Sequence, residues 1–79
     1  MGHTPHELAE EFPQNTDTIH TLKTSNPHFR RLFDEYHDVN AQIHRAETNV
    51  EPMEQLAEEA LRKTRLRLKD EIAAMINAA

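Results

Sequence analysis

Residues 29–50 read FRRLFDEYHDVNAQIHRAETNV and repeat an apolar residue at alternating spacings of three and four. This heptad spacing turns one stripe of a helix toward a partner helix. The stripe consists of Phe29, Leu32, Tyr36, Val39, Ile43, Ala46 and Val50. A second run with helical periodicity follows Pro52 and continues to Ile76. The two runs predict an all-α fold, an antiparallel helical hairpin that is coiled-coil-like.

Start and stop signals divide the chain into two short N-terminal helices and two long ones, within a single domain over residues 1–79. The predicted helices cover residues 5–12, 17–24, 27–48 and 52–77. The sequence TPHE over residues 4–7 matches a capping box with Thr4 as the N-cap, and Pro13 ends the helix that follows. The sequence SNP over residues 25–27 starts the first long helix, with Ser25 or Asn26 as its N-cap.

An antiparallel register with its turn near residue 50 brings apolar residues of the two long helices together, because both helices rise equally per residue. It pairs Phe29 with Ile72, Leu32 with Leu68, Tyr36 with Thr64, Val39 with Leu61 and Ile43 with Ala57. The apolar stripe of the second helix consists of Met53, Leu56, Ala57, Ala60, Leu61, Thr64, Leu68, Ile72, Met75 and Ile76. Leu66 lies off this stripe, so we interpret it as part of a second contact face for self-association.

Composition and charge restrict the classes of function. The chain has 79 residues, 37% hydrophobic residues and no cysteine. A domain of this size buries little apolar surface as a monomer, which favours a dimer or a tetramer. The net charge of −5 argues against general attraction to nucleic acids or anionic membranes. No apolar stretch is long enough for a membrane span, and we expect a cytoplasmic protein without membrane contact.

Five cations fall within residues 62–69 and could form a phosphate-binding stripe. They are Arg62, Lys63, Arg65, Arg67 and Lys69. The predicted register places Asp34, Glu35 and Asp38 opposite them. Glu58 and Glu59 precede Arg62 and Lys63 by four residues, which is the favourable order for ion pairs within a helix. We therefore favour intramolecular ion pairing over nucleic-acid binding for this run.

Six histidines raise the question of a metal site. Two ligands on one helix are normally four residues apart, and no two histidines have that spacing. We expect no cofactor and no metal site, with histidine-linked assembly between protomers as a weaker alternative. No cysteine nucleophile or glycine-rich phosphate loop is present, so no catalytic residue is assigned. Asn40 lies beside the heptad stripe, where a polar residue can fix register or oligomeric state.

Several segments resemble the YdcH-like family of small bacterial proteins of unknown function. The similarity lies in residues 6–13 (HELAEEFP), 27–29 (PHF), 34–37 (DEYH) and 66–72 (LRLKDEI), with further matches between them. The resemblance implies a cytoplasmic helical hairpin with no assigned activity, and it supplies no site residues.

These observations together predict a non-enzymatic interaction or adaptor module, with an unidentified protein partner. Leu66 is the residue that we assign to self-association. The alternative is an RNA- or ribosome-associated protein that uses Arg62, Lys63, Arg65 and Arg67.

Overall fold

The computed structural model describes residues 5–48 and 54–79, and within these ranges it contains helices and no strand. The elements are, in order, α1 (Leu8–Glu11), a 3₁₀ turn (Pro13–Asn15), α2 (Thr16–Ser25), α3 (Pro27–Glu47) and α4 (Gln55–Ala78). α3 packs against α4, and α2 packs against α3. The prediction of an all-α hairpin preceded by two short helices is therefore confirmed.

The main hydrophobic cluster lies where α3 begins and α4 ends, whereas Ile43 and Ala46 are buried nearer the other end of α3. The buried members of the cluster are Leu8, Ile19, Phe29, Leu32, Tyr36, Leu68, Ile72 and Ile76. The partly buried residues packed against them are Phe12, Leu22, Phe33, Val39 and Met75. Two helices alone leave one flank of each apolar stripe open, and a further layer is needed to cover it. α1 and α2 supply this layer with Leu8 and Ile19.

The first short helix differs from its prediction. α1 begins at Leu8, because His6 has a φ of 66°, which lies outside the right-handed helical region. Glu7 is the N-cap and makes no side-chain capping bond. Glu10 instead reaches back and accepts a hydrogen bond from the backbone N–H of His6 at 3.2 Å. Thr4, the predicted N-cap, lies outside the described residues.

The junction between α2 and α3 follows the predicted start signal. The side chain of Asn26 accepts a hydrogen bond from the backbone N–H of Phe29 at 3.1 Å, and Pro27 is the first helical residue. Of the two candidate caps, Asn26 is the one used, since the Ser25 hydroxyl donates to the carbonyl of Thr21. The break therefore redirects the chain without interrupting the buried face that runs from Ile19 to Phe29.

The buried face of α4 is shorter than predicted. Leu68, Ile72 and Ile76 are buried, and Leu61 is half-buried. The predicted members Leu56, Ala57 and Ala60 are exposed, so the prediction is wrong for the first two turns of α4. The covering layer of α1 and α2 lies at the opposite end of the hairpin. Val50 and Met53, also assigned to the stripes, lie outside the described residues.

Candidate interaction site

Asn40 connects three parts of the chain and is the one buried polar residue within the described ranges. Its Nδ2 donates hydrogen bonds to the carbonyl of Pro5 at 2.9 Å and to Oε2 of Glu7 at 3.0 Å. Its Oδ1 accepts a hydrogen bond from Nη1 of Arg65 at 2.8 Å. A primary amide combines two donors and an acceptor, which this arrangement requires. Asn40 therefore joins the residues before α1 to both long helices.

Glu7 also binds the neighbouring turn of α3. Its Oε1 lies 3.3 Å from Nδ1 of His37, while its other oxygen accepts from Asn40. His37 and Asn40 lie three residues apart and share a face of α3. The capping box predicted that the Glu7 carboxylate would bind the backbone at the start of the first helix. In the structure this carboxylate binds His37 and Asn40 of α3.

Tyr36 holds the backbone of His6, the residue that precedes Glu7. Its hydroxyl donates a hydrogen bond to the carbonyl of His6 at 2.6 Å. Burial is the main cause that raises the pKa of the phenol to about 12, and the negative charge of Glu11 contributes to the same shift. The folded structure therefore favours the neutral form of the phenol.

Glu11 attaches the end of α1 to α4. Its carboxylate pairs with the ammonium group of Lys69, and its Oε2 lies 3.4 Å from Nδ1 of His6. The hydrogen bond from Lys69 is the main cause that lowers the pKa of Glu11 below its ordinary value, against the opposing effect of burial. The carboxylate is thus stabilised in its charged form.

Residues 5–12, which we call the N-terminal segment, thus lie along a surface built from both long helices. We call this surface the docking groove, and it consists of Tyr36, His37, Asn40, Arg65 and Lys69. Leu8 is the apolar anchor of the segment, with 2% of its surface exposed. From the sequence, Asn40 is predicted to fix register and Glu7 to complete a capping box. Their pairing could not be predicted, because 33 residues separate them and no periodic pattern connects them.

A cleft of about 230 Å³ lies beside the N-terminal segment. Its walls are His6, Glu11, Tyr36, Arg62, Arg65, Leu66 and Lys69. Arg65 contacts the amide oxygen of Asn40, and within the described residues it makes no ion pair with a carboxylate. The cleft therefore combines the apolar side chain of Leu66 with a guanidinium group that forms no direct ion pair with a described carboxylate.

The predicted basic run is largely occupied by ion pairs. Arg62 contacts Glu47 at 2.9 Å and also pairs with Glu58, and Arg67 contacts Glu71 at 2.9 Å. The pairing with Glu58 was predicted from the spacing of four residues. The hydrogen bond from Arg62 holds the pKa of the Glu47 carboxyl below its ordinary value, so the carboxylate is stabilised in its charged form.

The carboxylates predicted to lie opposite this run are placed elsewhere. Asp34 pairs with Arg30 of its own helix at 3.3 Å. Among the described residues, Glu35 and Asp38 make no ion pair, and neither does Lys63. The expectation that α3 neutralises the run with these three residues is therefore replaced by pairs with Glu11, Glu47, Glu58 and Glu71.

Two large apolar side chains of α4 remain at the surface. Leu66 is 60% exposed and Leu56 is 80% exposed. Leu66 was predicted to lie off the buried stripe, and its exposure agrees with that position. Leu56 was predicted to be buried, and its exposure adds a second apolar side chain to the surface of the helix.

A second, more apolar cavity of about 270 Å³ lies between α1, α2 and α3. Its walls are Glu7, Leu8, Ala9, Thr16, Ile19, His20, Lys23 and Phe33. The ammonium group of Lys23 lies 4.1 Å from the centre of the Phe33 ring, a cation–π contact. This contact covers part of the aromatic face that borders the cavity.

The described part of the chain contains neither a cluster of metal-ligating side chains nor a helix that could cross a membrane. No three histidine, aspartate or glutamate side chains there are grouped so that they could hold a metal ion. No helix in residues 5–48 or 54–79 combines the length and the apolar character that crossing a membrane requires.

A comparison with family models matches residues 29–76 to DUF465, described as a protein of unknown function. The chain belongs to this family. The match covers both long helices and more than half of the sequence, and it confirms the predicted resemblance, since YdcH is a member of DUF465. No curated protein and no solved structure matches the chain. The docking groove lies within the region that the family model covers, whereas the N-terminal segment precedes it.

Proposed function

We propose that this DUF465 protein is a non-enzymatic interaction module that self-associates through the exposed face of α4. The observation that carries the proposal is the exposure of Leu56 and Leu66 on a helix whose other large aliphatic residues are buried or half-buried. Apolar side chains of this size favour a partner surface that removes them from water. A second copy of the chain presents the same residues and therefore supplies such a surface.

The chemistry of the described residues supports a role without catalysis. The polar side chains that converge are tied into hydrogen bonds and ion pairs that hold the fold, as at Asn40 and Glu11. The basic run is the surface on which the alternative, binding of RNA or of the ribosome, would depend. Because Arg62 and Arg67 pair with carboxylates of the same chain, this alternative is supported less well than protein interaction.

The test is the mass of the protein in solution after Leu66→Glu. We expect the wild-type chain to behave as a dimer or a tetramer, and we expect the variant to shift toward the monomer. A charged side chain that must be buried in an interface is strongly unfavourable. Analytical ultracentrifugation measures the mass, and circular dichroism checks that helicity is retained.

Thr21→Glu is the matched control, because it adds the same charge at an exposed position on α2. This variant should keep the mass of the wild type. A wild-type protein that stays monomeric at all concentrations, or a Leu66→Glu variant with unchanged mass, contradicts self-association through this face.

A further inference from the structure

We propose that the docking groove is a binding site for an acidic, leucine-anchored helical segment of a partner protein. In the described structure the N-terminal segment occupies this site as an internal ligand. The residues of the docking groove are not those that the self-association face of α4 requires, and only the cleft beside the groove shares Leu66 with that face. Either proposal can therefore fail without the other.

The internal ligand shows which chemistry the groove recognises. Glu7 binds Asn40 and His37, and Glu11 binds Lys69. Leu8 lies between these two carboxylates in the sequence and is buried. Residues four apart share a helix face, so one helical turn presents both carboxylates to the groove. The recognised pattern is therefore a glutamate followed directly by leucine, with a second acidic residue one turn further along.

The internal ligand does not use all of the available contacts. The cleft of about 230 Å³ beside it is bordered by Leu66 and Arg65, and Arg65 makes no ion pair with a described carboxylate. A partner segment with one more acidic and one more apolar side chain could fill this space. Such a segment gains contacts that the chain's own residues do not make, which offsets the advantage of the tethered ligand.

Two features of the N-terminal segment favour its replacement by a partner segment. α1 has four residues, far fewer than a helix needs to be stable without packing. His6, directly before it, has a positive φ that is uncommon for a residue with a Cβ. Both features weaken the bound conformation without affecting the long helices that form the groove.

The experiment uses the full chain with Leu8→Ala and a fluorescently labelled peptide with the sequence of residues 5–15. Removing the apolar anchor frees the groove, while the peptide brings the anchor back on a separate molecule. We expect fluorescence anisotropy to show binding that is about tenfold or more tighter for the variant than for the wild type, whose groove is occupied by a tethered competitor.

Two controls make the result specific to the groove. A peptide that carries Leu8→Ala should not bind, and adding Asn40→Ala to the Leu8→Ala chain should abolish binding of the unchanged peptide. If the peptide binds wild type and variant equally, or if Asn40→Ala has no effect, the proposal is overturned.

A second variant guards against loss of structure. If Leu8→Ala lowers the helicity measured by circular dichroism, Glu11→Gln is used in its place, since it leaves the apolar anchor intact and removes the pair with Lys69. We expect the peptide to bind this folded variant more tightly than the wild type, because the tethered competitor has lost its pair with Lys69. Equal affinities for the two proteins overturn the proposal. The mass of each variant distinguishes this outcome from a failure of self-association.

Discussion

Asn40 shows how one buried polar side chain organises this small domain. Its surface is 1% exposed, and each of its polar atoms has a partner. A buried amide without partners is costly, so satisfying both donors and the acceptor is a condition for placing it there. The partners are Pro5, Glu7 and Arg65, which belong to the segment before α1, to its N-cap and to α4. A single residue of α3 thereby fixes the position of two other elements.

We expect Asn40→Ala to lower the free energy of unfolding by about 2 kcal/mol, because several hydrogen bonds are lost and their partners are left unpaired. Urea denaturation followed by circular dichroism measures this change. Asn77→Ala on the exposed end of α4 is the control and should leave stability within about 0.5 kcal/mol. Equal effects of the two substitutions would show that the network around Asn40 does not stabilise the fold.

Ionisation of the buried Tyr36 makes the stability of the fold decrease at alkaline pH. Its pKa is raised to about 12 from the ordinary value of 10.0, so the folded state disfavours the charged phenolate. This contribution is fully present below pH 10 and is lost as the pH rises through the raised pKa, at a total of about 3 kcal/mol. Tyr36 is the only tyrosine and no tryptophan is present, so tyrosinate absorbance reports this residue alone.

We expect the alkaline titration of the wild type to have a midpoint near the raised value of about 12. Leu8→Ala should move the midpoint back toward the value of an exposed tyrosine, because the N-terminal segment no longer covers the phenol. A wild-type midpoint already near pH 10 would contradict the position of the N-terminal segment over the Tyr36 hydroxyl.

At the scale of elements, α4 is a helix with two different halves. The half near Ile72 packs on α3 and on the covering layer, whereas the half near Leu56 is exposed. Hydrophobic periodicity in the sequence predicted that both halves are buried, because it records which residues share a face. It does not record whether another element covers that face, and in this hairpin α1 and α2 cover one end only.

The two halves should respond differently to the same kind of truncation. We expect Ile72→Ala to cost about 3 kcal/mol, since it leaves a cavity in the core. Leu56→Ala should change stability by at most about 0.5 kcal/mol, since that side chain is exposed. Thermal or urea unfolding measures both effects, and a large loss from Leu56→Ala would contradict the exposed position of the first turns.

At the scale of the whole molecule, the features that could be predicted are those that depend on residues close together in the sequence. The heptad stripe from Phe29, the N-cap at Asn26 and the off-stripe position of Leu66 are all local. The attachment of the N-terminal segment is different. It depends on Glu7 meeting Asn40 and on Glu11 meeting Lys69 across long separations, and neither contact has a sequence spacing that indicates it.

The same long separations matter for how the chain is made. Leu8, near the start, belongs to one buried cluster with Ile76, near the end of α4. During synthesis the chain emerges from its N-terminus, so Leu8 must stay exposed until almost all of α4 has been added. Contacts between distant residues slow folding and prolong the exposure of apolar surface. The core of this protein therefore closes only after most of α4 has been synthesised, and until then the N-terminal segment lacks part of its docking groove.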